Sequence, residues 1–435
     1  MPTSLTTLPH DTLTEIADYL SERDLYQLKA TASFFKPAVN AALVKKLSRE
    51  HIKQIATGDN HTLFLQHDGS VWGCGENYEG ELGIGHYENQ PTLVRIPIEQ
   101  VQRIIAGGQQ SLFIKKDGSV WGCGENYEGQ LGLGCRIQTP STPVRLPIDQ
   151  VQDFSAGGGH SLFLKPDGSV WGCGCNGRGQ LGIDYMDVDV QYTLVRLPID
   201  QVQQISAGDN HTLFLKMDGS VWGFGSNDAA QLGIDSTVDK SYTPVRIPID
   251  QVQQIIAKGA CSLFIKIDGS VWGCGDNMFS QLGMEQDMTT QSPPAYMSID
   301  QVQQISAGGA HTLFFKMDGS VWGCGFNSDS RLGIASSDED YESSPIQIPI
   351  DQVKQISTGS SHTVFLKTDG SIWVCGKNKE GQLGLGYYHK DDSSFTLQLL
   401  PKYQKLAERL QKLKEPVLSP PVLEDISSPS LKLRS

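Results

Sequence analysis

The chain has 435 residues and a formal net charge of −14. Residues 1–50 are neutral, with six basic and six acidic side chains, and residues 401–435 carry +3, which leaves −17 for the stretch between them. A chain this acidic repels phosphate backbones, which argues against direct nucleic-acid binding and favours a basic protein partner.

No secretory n-region with an apolar h-region is present, and no apolar run of about 20 residues, so no membrane span is expected. The nine cysteines do not form a disulfide framework in a chain of this length. Cys173 and Cys175 make only a CxC, and no second pair follows at zinc spacing. A reduced compartment, cytosolic or nuclear, follows. No cofactor is expected, and a monomer is.

The first fifty residues read as three short helices. Thr12-x-x-Glu15 is a capping box, and Leu13, Ile16, Ala17 and Leu20 follow on one helical face. Ser21 caps a second helix with Leu25, Leu28 and Ala32 on its inner side. Pro37 suits the first turn of a third helix, which runs to about Arg49. Three helices of this length make a poor core alone and need a partner or a neighbouring domain.

Residues 51–400 are one phrase repeated. All seven tryptophans (Trp72, Trp121, Trp171, Trp222, Trp272, Trp322, Trp373) recur at spacings of 49 to 51. In HTLFLKMDGSVWGFG (211–225) two β-rich runs flank Asp218-Gly219, a hairpin signal because the turn requires positive φ. VQQIS supplies a third strand. TPVRIPI supplies a fourth, whose prolines suit only an outer edge. Four strands per unit, seven times, predicts a mainly β fold, a seven-bladed β-propeller. HTLFL is apolar on both faces, as a strand packed between two blades requires. Phe395–Leu400 resembles a fourth strand with no unit after it, and it is expected to pair into the first blade and close the ring.

After the propeller, residues 401–415 form an amphipathic helix with Tyr403, Leu406, Leu410 and Leu413 on one face. Residues 416–435 are Pro/Ser-rich and are expected to be disordered.

The unit GxxHTLFLKxDGSVWGCGxNxxGQLGIG resembles the repeat of the regulator of chromosome condensation family, over about 350 residues. That family includes a Ran nucleotide-exchange factor, a light sensor and binding scaffolds, so the likeness implies a fold more strongly than a function. LTTLPHDTLTEIADYLSERDLYQLKATASFFKPAV is similar to an F-box. By that resemblance Leu8, Pro9, Leu13, Ile16, Leu20, Leu25 and Leu28 dock on the Skp-type adaptor of a cullin ubiquitin ligase, in the cytoplasm or nucleus of a eukaryotic cell, a host cell if the source is a bacterium.

Residues that recur in every unit are better explained by the fold than by catalysis. His61, His160, His211, His311 and His362 share one position, with Gln110 and Cys261 at the other two. They are expected to bond a neighbouring loop rather than to bind a metal. The DGS aspartates lack the alternating ligands and closing Glu of a calcium loop. The repeated asparagines, Asn77 to Asn378, are expected to form turns. No nucleophile–base pair and no phosphate loop stand out, so a non-catalytic binding protein is expected.

Binding residues are sought where the units differ, in the segments after LGI. Tyr87, Tyr185, Met186, Met288 and Tyr341 are the candidates, since aromatics and Met are enriched at hot spots. The first reading is a substrate-recognition subunit of a Skp–cullin–F-box ligase, with the propeller loops holding a basic target. The alternative is a regulator of a Ran-like small GTPase. A plain scaffold is the third.

Overall fold

The computed structural model describes Leu25 and residues 51–134, 139–183, 189–235, 237–284, 289–335, 340–388 and 397–401. The chain divides into two compact units, Met1–Ser48 with Glu408–Ser435, and Arg49–Ala407. In the first unit only Leu25 is described, helical and fully buried. The expected helices and the other F-box positions, Leu8, Pro9, Leu13, Ile16, Leu20 and Leu28, lie outside the described residues, as do residues 402–435.

The second unit is seven four-stranded antiparallel sheets, each made from consecutive strands. Blade 1 runs Ile52–Thr57, His61–Gln66, Val71–Gly75 and Gln90–Ile96. The first strand is innermost, because the first strands of neighbouring blades pack on one another around the axis. The proline-bearing fourth strand is the outer edge, as its missing N–H requires.

Burial follows the alternation. Leu63, Phe64 and Leu65 are all fully buried, and the same holds in blade 4 for Leu213 and Phe214. One face of each strand meets the preceding blade and the other meets the next. Val71 of blade 1 packs with Phe113 and Cys123 of blade 2, and Trp121 lies against the same cluster. Each fully buried phenylalanine contributes about 2 kcal/mol by its apolar area.

Polar clamps join the inner strands. The Gln54 amide donates to Ile104 O at 2.8 Å and its oxygen accepts from Ile104 N at 3.0 Å. Gln204 clamps Ile255 in the same way. At the blade 2–3 junction the glutamine is replaced by Arg103, which pairs with Asp153 at 2.6 Å.

Ring closure differs from the expectation. Gln398–Leu399 pairs with Ile372–Gly376 of blade 7, so it completes that blade instead of entering the first. Every blade is therefore built from contiguous chain. The ring closes through side chains: Gln355 clamps Ile55, Thr57 bonds Ser357 at 2.7 Å, and His362 bonds Thr62 at 2.9 Å. A unit that starts with its inner strand and ends with its outer one leaves no strand to exchange.

Candidate functional site

The two faces of the ring carry different loops. Residues 58–60 and 76–89 lie at one end, since His61 pairs with Gly75 and Glu76 N donates to Asn60 O at 2.9 Å. The Asp-Gly-Ser hairpins and the chain's passage to the next blade lie at the other, where Val101 N donates to Gly69 O. The variable segments after LGI therefore begin and end on the first face, as expected.

The repeated residues are framework. His61 Nε2 bonds Ser111 Oγ of the next blade at 3.0 Å, and that hydroxyl donates back to Glu81 O at 2.6 Å. The same relay joins His211, Ser262 and Gln231 O. Burial holds these imidazoles far below their ordinary pKa: to about 4 for His61 and His211, and to about 3 for His160 and His362. They are neutral at pH 7. The asparagines form turns and more: Asn77 Oδ1 accepts from Leu82 N at 2.9 Å while Nδ2 donates to His86 O. The DGS aspartates accept from the serine N–H and hydroxyl two residues on, as Asp218 does from Ser220. Among the described residues no group of His, Cys, Asp or Glu has metal-site geometry.

Blade 5 breaks this framework at two linked positions. In five blades a glycine lies over the histidine, and a Cβ added at Gly58 or Gly208 would overlap the ring of His61 or His211. In blade 5 the histidine is Cys261 and the glycine is Lys258. The smaller side chain leaves room for the larger. Lys258 reaches Asp59 of blade 1, Nζ to Oδ1 3.2 Å. Burial alone would lower the ammonium pKa, but Asp59 and Asp209 outweigh it and raise it. Partial burial would raise the carboxyl pKa of Asp59, but Lys258 and a Ser360 hydrogen bond hold it below its ordinary value.

Of the candidate contact residues, Tyr87 is 47% exposed and bonds Thr139 O of blade 2 at 3.1 Å. Tyr341 is 37% exposed and begins the outer strand of blade 6. Both are on the loop face, but on separate blades. Tyr185, Met186 and Met288 lie outside the described residues.

Sequence reasoning missed a denser cluster on the same face. In units 1 and 2 the asparagine sits in ENYEG, and this places Glu76, Tyr78, Glu79, Glu125, Tyr127 and Glu128 together across two blades. Tyr78 and Tyr127 are 61% and 49% exposed. Among the described residues no ion pair forms to Glu76, Glu79 or Glu125. Burial pushes the Glu125 carboxyl up to about 7, and Glu79, Glu128 and Asp59 add to it. Glu380 of blade 7 borders the cluster and accepts from Asn89 Nδ2 at 2.6 Å. The available signal was the variation around a constant asparagine: ENYE, ENYE, CNGR, SNDA, DNMF, FNSD, KNKE.

A seven-bladed propeller with this repeat defines a class, the regulator of chromosome condensation type. The comparisons agree. The RCC1-like domain model matches residues 137–417, and the regulator of chromosome condensation (RCC1) repeat matches residues 52–81 and 68–114. The chain belongs to the RCC1-like family.

Human WBSCR16 has a similar structure, with TM-score 0.67 and 24% identity over 76% of this chain and 94% of that one. Prp20p of Saccharomyces cerevisiae, described with its binding to Gsp1p and histones, gives TM-score 0.67 and 20% identity over 82% and 89%. Among curated proteins, a cow secretion-regulating guanine nucleotide exchange factor is 49% identical over 35 residues, 8% of each chain. The mouse X-linked retinitis pigmentosa GTPase regulator is 36% identical over 69 residues, 16% of this chain and 6% of that one. This chain matches less than a tenth of the length of either curated relative.

One expectation is overturned. A non-catalytic binding protein was inferred from the lack of a nucleophile or phosphate loop. A relative that is a nucleotide exchange factor shows that this criterion is the wrong one. Exchange needs no covalent chemistry, so a catalyst of this kind leaves no nucleophile signature. The family matches begin at residue 52 and do not bear on the F-box resemblance.

Proposed function

We propose that the protein regulates a Ran-like small GTPase, engaging it through the loop face of the propeller, in the cytoplasm or nucleus of a eukaryotic cell. The observation that carries this reading is the cluster of carboxylates without an ion pair, and of exposed tyrosines, on blades 1 and 2. Such a surface suits a basic protein face: charge speeds encounter, and the tyrosines supply area at low entropy cost. Relatives described as a GTPase regulator, a nucleotide exchange factor and a Gsp1p-binding protein support the choice of partner. Their likeness to this chain is over short segments or at the level of fold.

The test is release of a fluorescent GDP analogue from purified Ran with the full chain in excess. Faster release that is slowed by Glu79→Gln/Glu125→Gln supports the reading. Unchanged release, together with no complex on gel filtration, rules it out.

A further inference from the structure

The face opposite the loops ends in the Asp-Gly-Ser turns, and three of these turns differ from the rest. The residue before Asp-Gly is His67, Lys116, Pro166 or Thr368 in four blades, but Met217, Ile267 and Met317 in blades 4, 5 and 6. The frame uses only the backbone here. Met217 N, Ile267 N and Met317 N donate to Gln201, Gln251 and Gln301 O at 2.8 Å, and Thr368 N donates to Gln352 O at the same distance. The three apolar side chains are left outside, 61%, 71% and 63% exposed. They form a ridge over adjoining blades: Met217 Cε lies over Gly168 of blade 3, and Met317 Cε over Gly269 of blade 5. A hollow of about 550 Å³ lies on the axial side, lined by Met317 and by Gln203, Gln253, Gln254 and Gln303. Another, of about 480 Å³, lies between Ile267 and Trp222.

We propose that the ridge of Met217, Ile267 and Met317 receives a second copy of this chain, in a two-fold dimer joined by the turn faces, in place of the expected monomer. Its chemistry complements itself. Each apolar residue stands between a lysine and an aspartate: Lys216 and Asp218, Lys266 and Asp268, Lys316 and Asp318. A two-fold contact reverses the order, so apolar side chains meet while the lysine of one copy faces the aspartate of the other. Glutamine amides both donate and accept, so the hollow on the axial side can also pair with its own copy.

The charge of the rest of the molecule favours the same contact. Among the described residues the turn face carries as many basic as acidic side chains. Arg95, Arg145, Arg196 and Arg246 each pair with the acid four residues on. The acidic excess of residues 51–400 therefore lies off this face, and two copies approach here without the repulsion met elsewhere. A bilayer fits less well. The serine hydroxyls hold the carboxyls of Asp218, Asp268 and Asp318 below the ordinary value, so insertion of the ridge would carry three carboxylates toward hydrocarbon. The dimer goes beyond the reading above and leaves both loop faces outward, so one assembly presents two partner-binding faces.

The test is sedimentation velocity of the full chain at about 1 and about 100 µM, between which a micromolar dimer passes from mostly monomer to mostly dimer. Ile267→Lys/Met317→Lys puts at two turns the residue that blade 2 carries there, Lys116, so it folds. It should weaken the dimer at least about tenfold. Met278→Lys, on the loop face and 63% exposed, should leave the dimer intact. A wild-type monomer at both concentrations overturns the proposal, and so does a dimer unchanged by the double substitution. A monomer that floats with phosphatidylcholine vesicles, and no longer does so in the double variant, overturns it in favour of a bilayer. Neither result bears on release from Ran, which is read on the loop face.

Discussion

Lowering the pH from 7.5 to 5.0 should destabilise the propeller through its buried imidazoles. His61, His160, His211, His311 and His362 are fully buried or nearly so. Burial lowers all five pKa values, to about 4 or 3 where they are resolved and well below the usual value for His311. In the unfolded chain each titrates near 6.5. The unfolded state thus binds more protons below pH 6.5, and stability present above that pH is lost as it falls toward the folded values. At pH 5.0 each of His61, His160, His211 and His362 has cost about 2 kcal/mol, or about 8 kcal/mol for the four, and His311 acts in the same direction. Glu81 acts oppositely. Its pKa is raised to about 8, so it favours the folded state as pH falls, by about 3 kcal/mol over the same interval. Glu125, raised to about 7, adds about 2 kcal/mol after solvent screening, in the same sense as Glu81. The histidines win, and the net change is a loss of about 3 kcal/mol. His211→Gln isolates one of them, because blade 2 already carries Gln110 at this position, accepting from Ser161 at 3.2 Å. The assay is urea unfolding followed by tryptophan fluorescence at both pH values, for wild type and variant. The acid-induced loss should be about 2 kcal/mol smaller in the variant. Identical losses would show that the imidazole is not held neutral by burial, and the reasoning would fail.

Two further predictions concern the frame. Gly208→Ala drives a Cβ into the His211 ring and should cost about 2 kcal/mol. Adding His211→Cys makes the room that Cys261 makes in blade 5 and should recover at least about 1 kcal/mol, read as a coupling energy in a double-mutant cycle of melting data. Strict additivity would mean that Lys258 and Cys261 are not a matched pair. Deleting residues 390–435 removes the outer strand Gln398–Leu399 and the fully buried Leu400. The melting temperature should fall sharply, and an unchanged curve would show that blade 7 does not need its fourth strand.

Much of the fold was legible before any coordinates. A period of 49 to 51 residues, an Asp-Gly turn in every unit and apolar runs on both strand faces leave few alternatives to a ring of blades. Alternation fixes strands locally, and a repeat that cannot bury both faces alone must stack on its neighbours. Its edge was legible too, because proline cannot sit inside a sheet. The closure was not. Whether FTLQLLP served the seventh blade or the first depended on which strand of a unit is innermost, and a period has no intrinsic beginning.

The site was less legible for a related reason. Constancy marks what the frame needs, so variation was sought only in the long segments after LGI. The variable residues flanking Asn77 and Asn126 were passed over inside a constant motif. Only the tertiary structure brought two ENYEG copies side by side, buried Glu81 beside them, and carried Lys258 across the ring to Asp59. The sequence by itself determined the strands, the turns and the number of blades, since these follow from neighbours along the chain. The meeting of charges depended on which blades adjoin and which way each loop faces, and that is settled only when the ring closes.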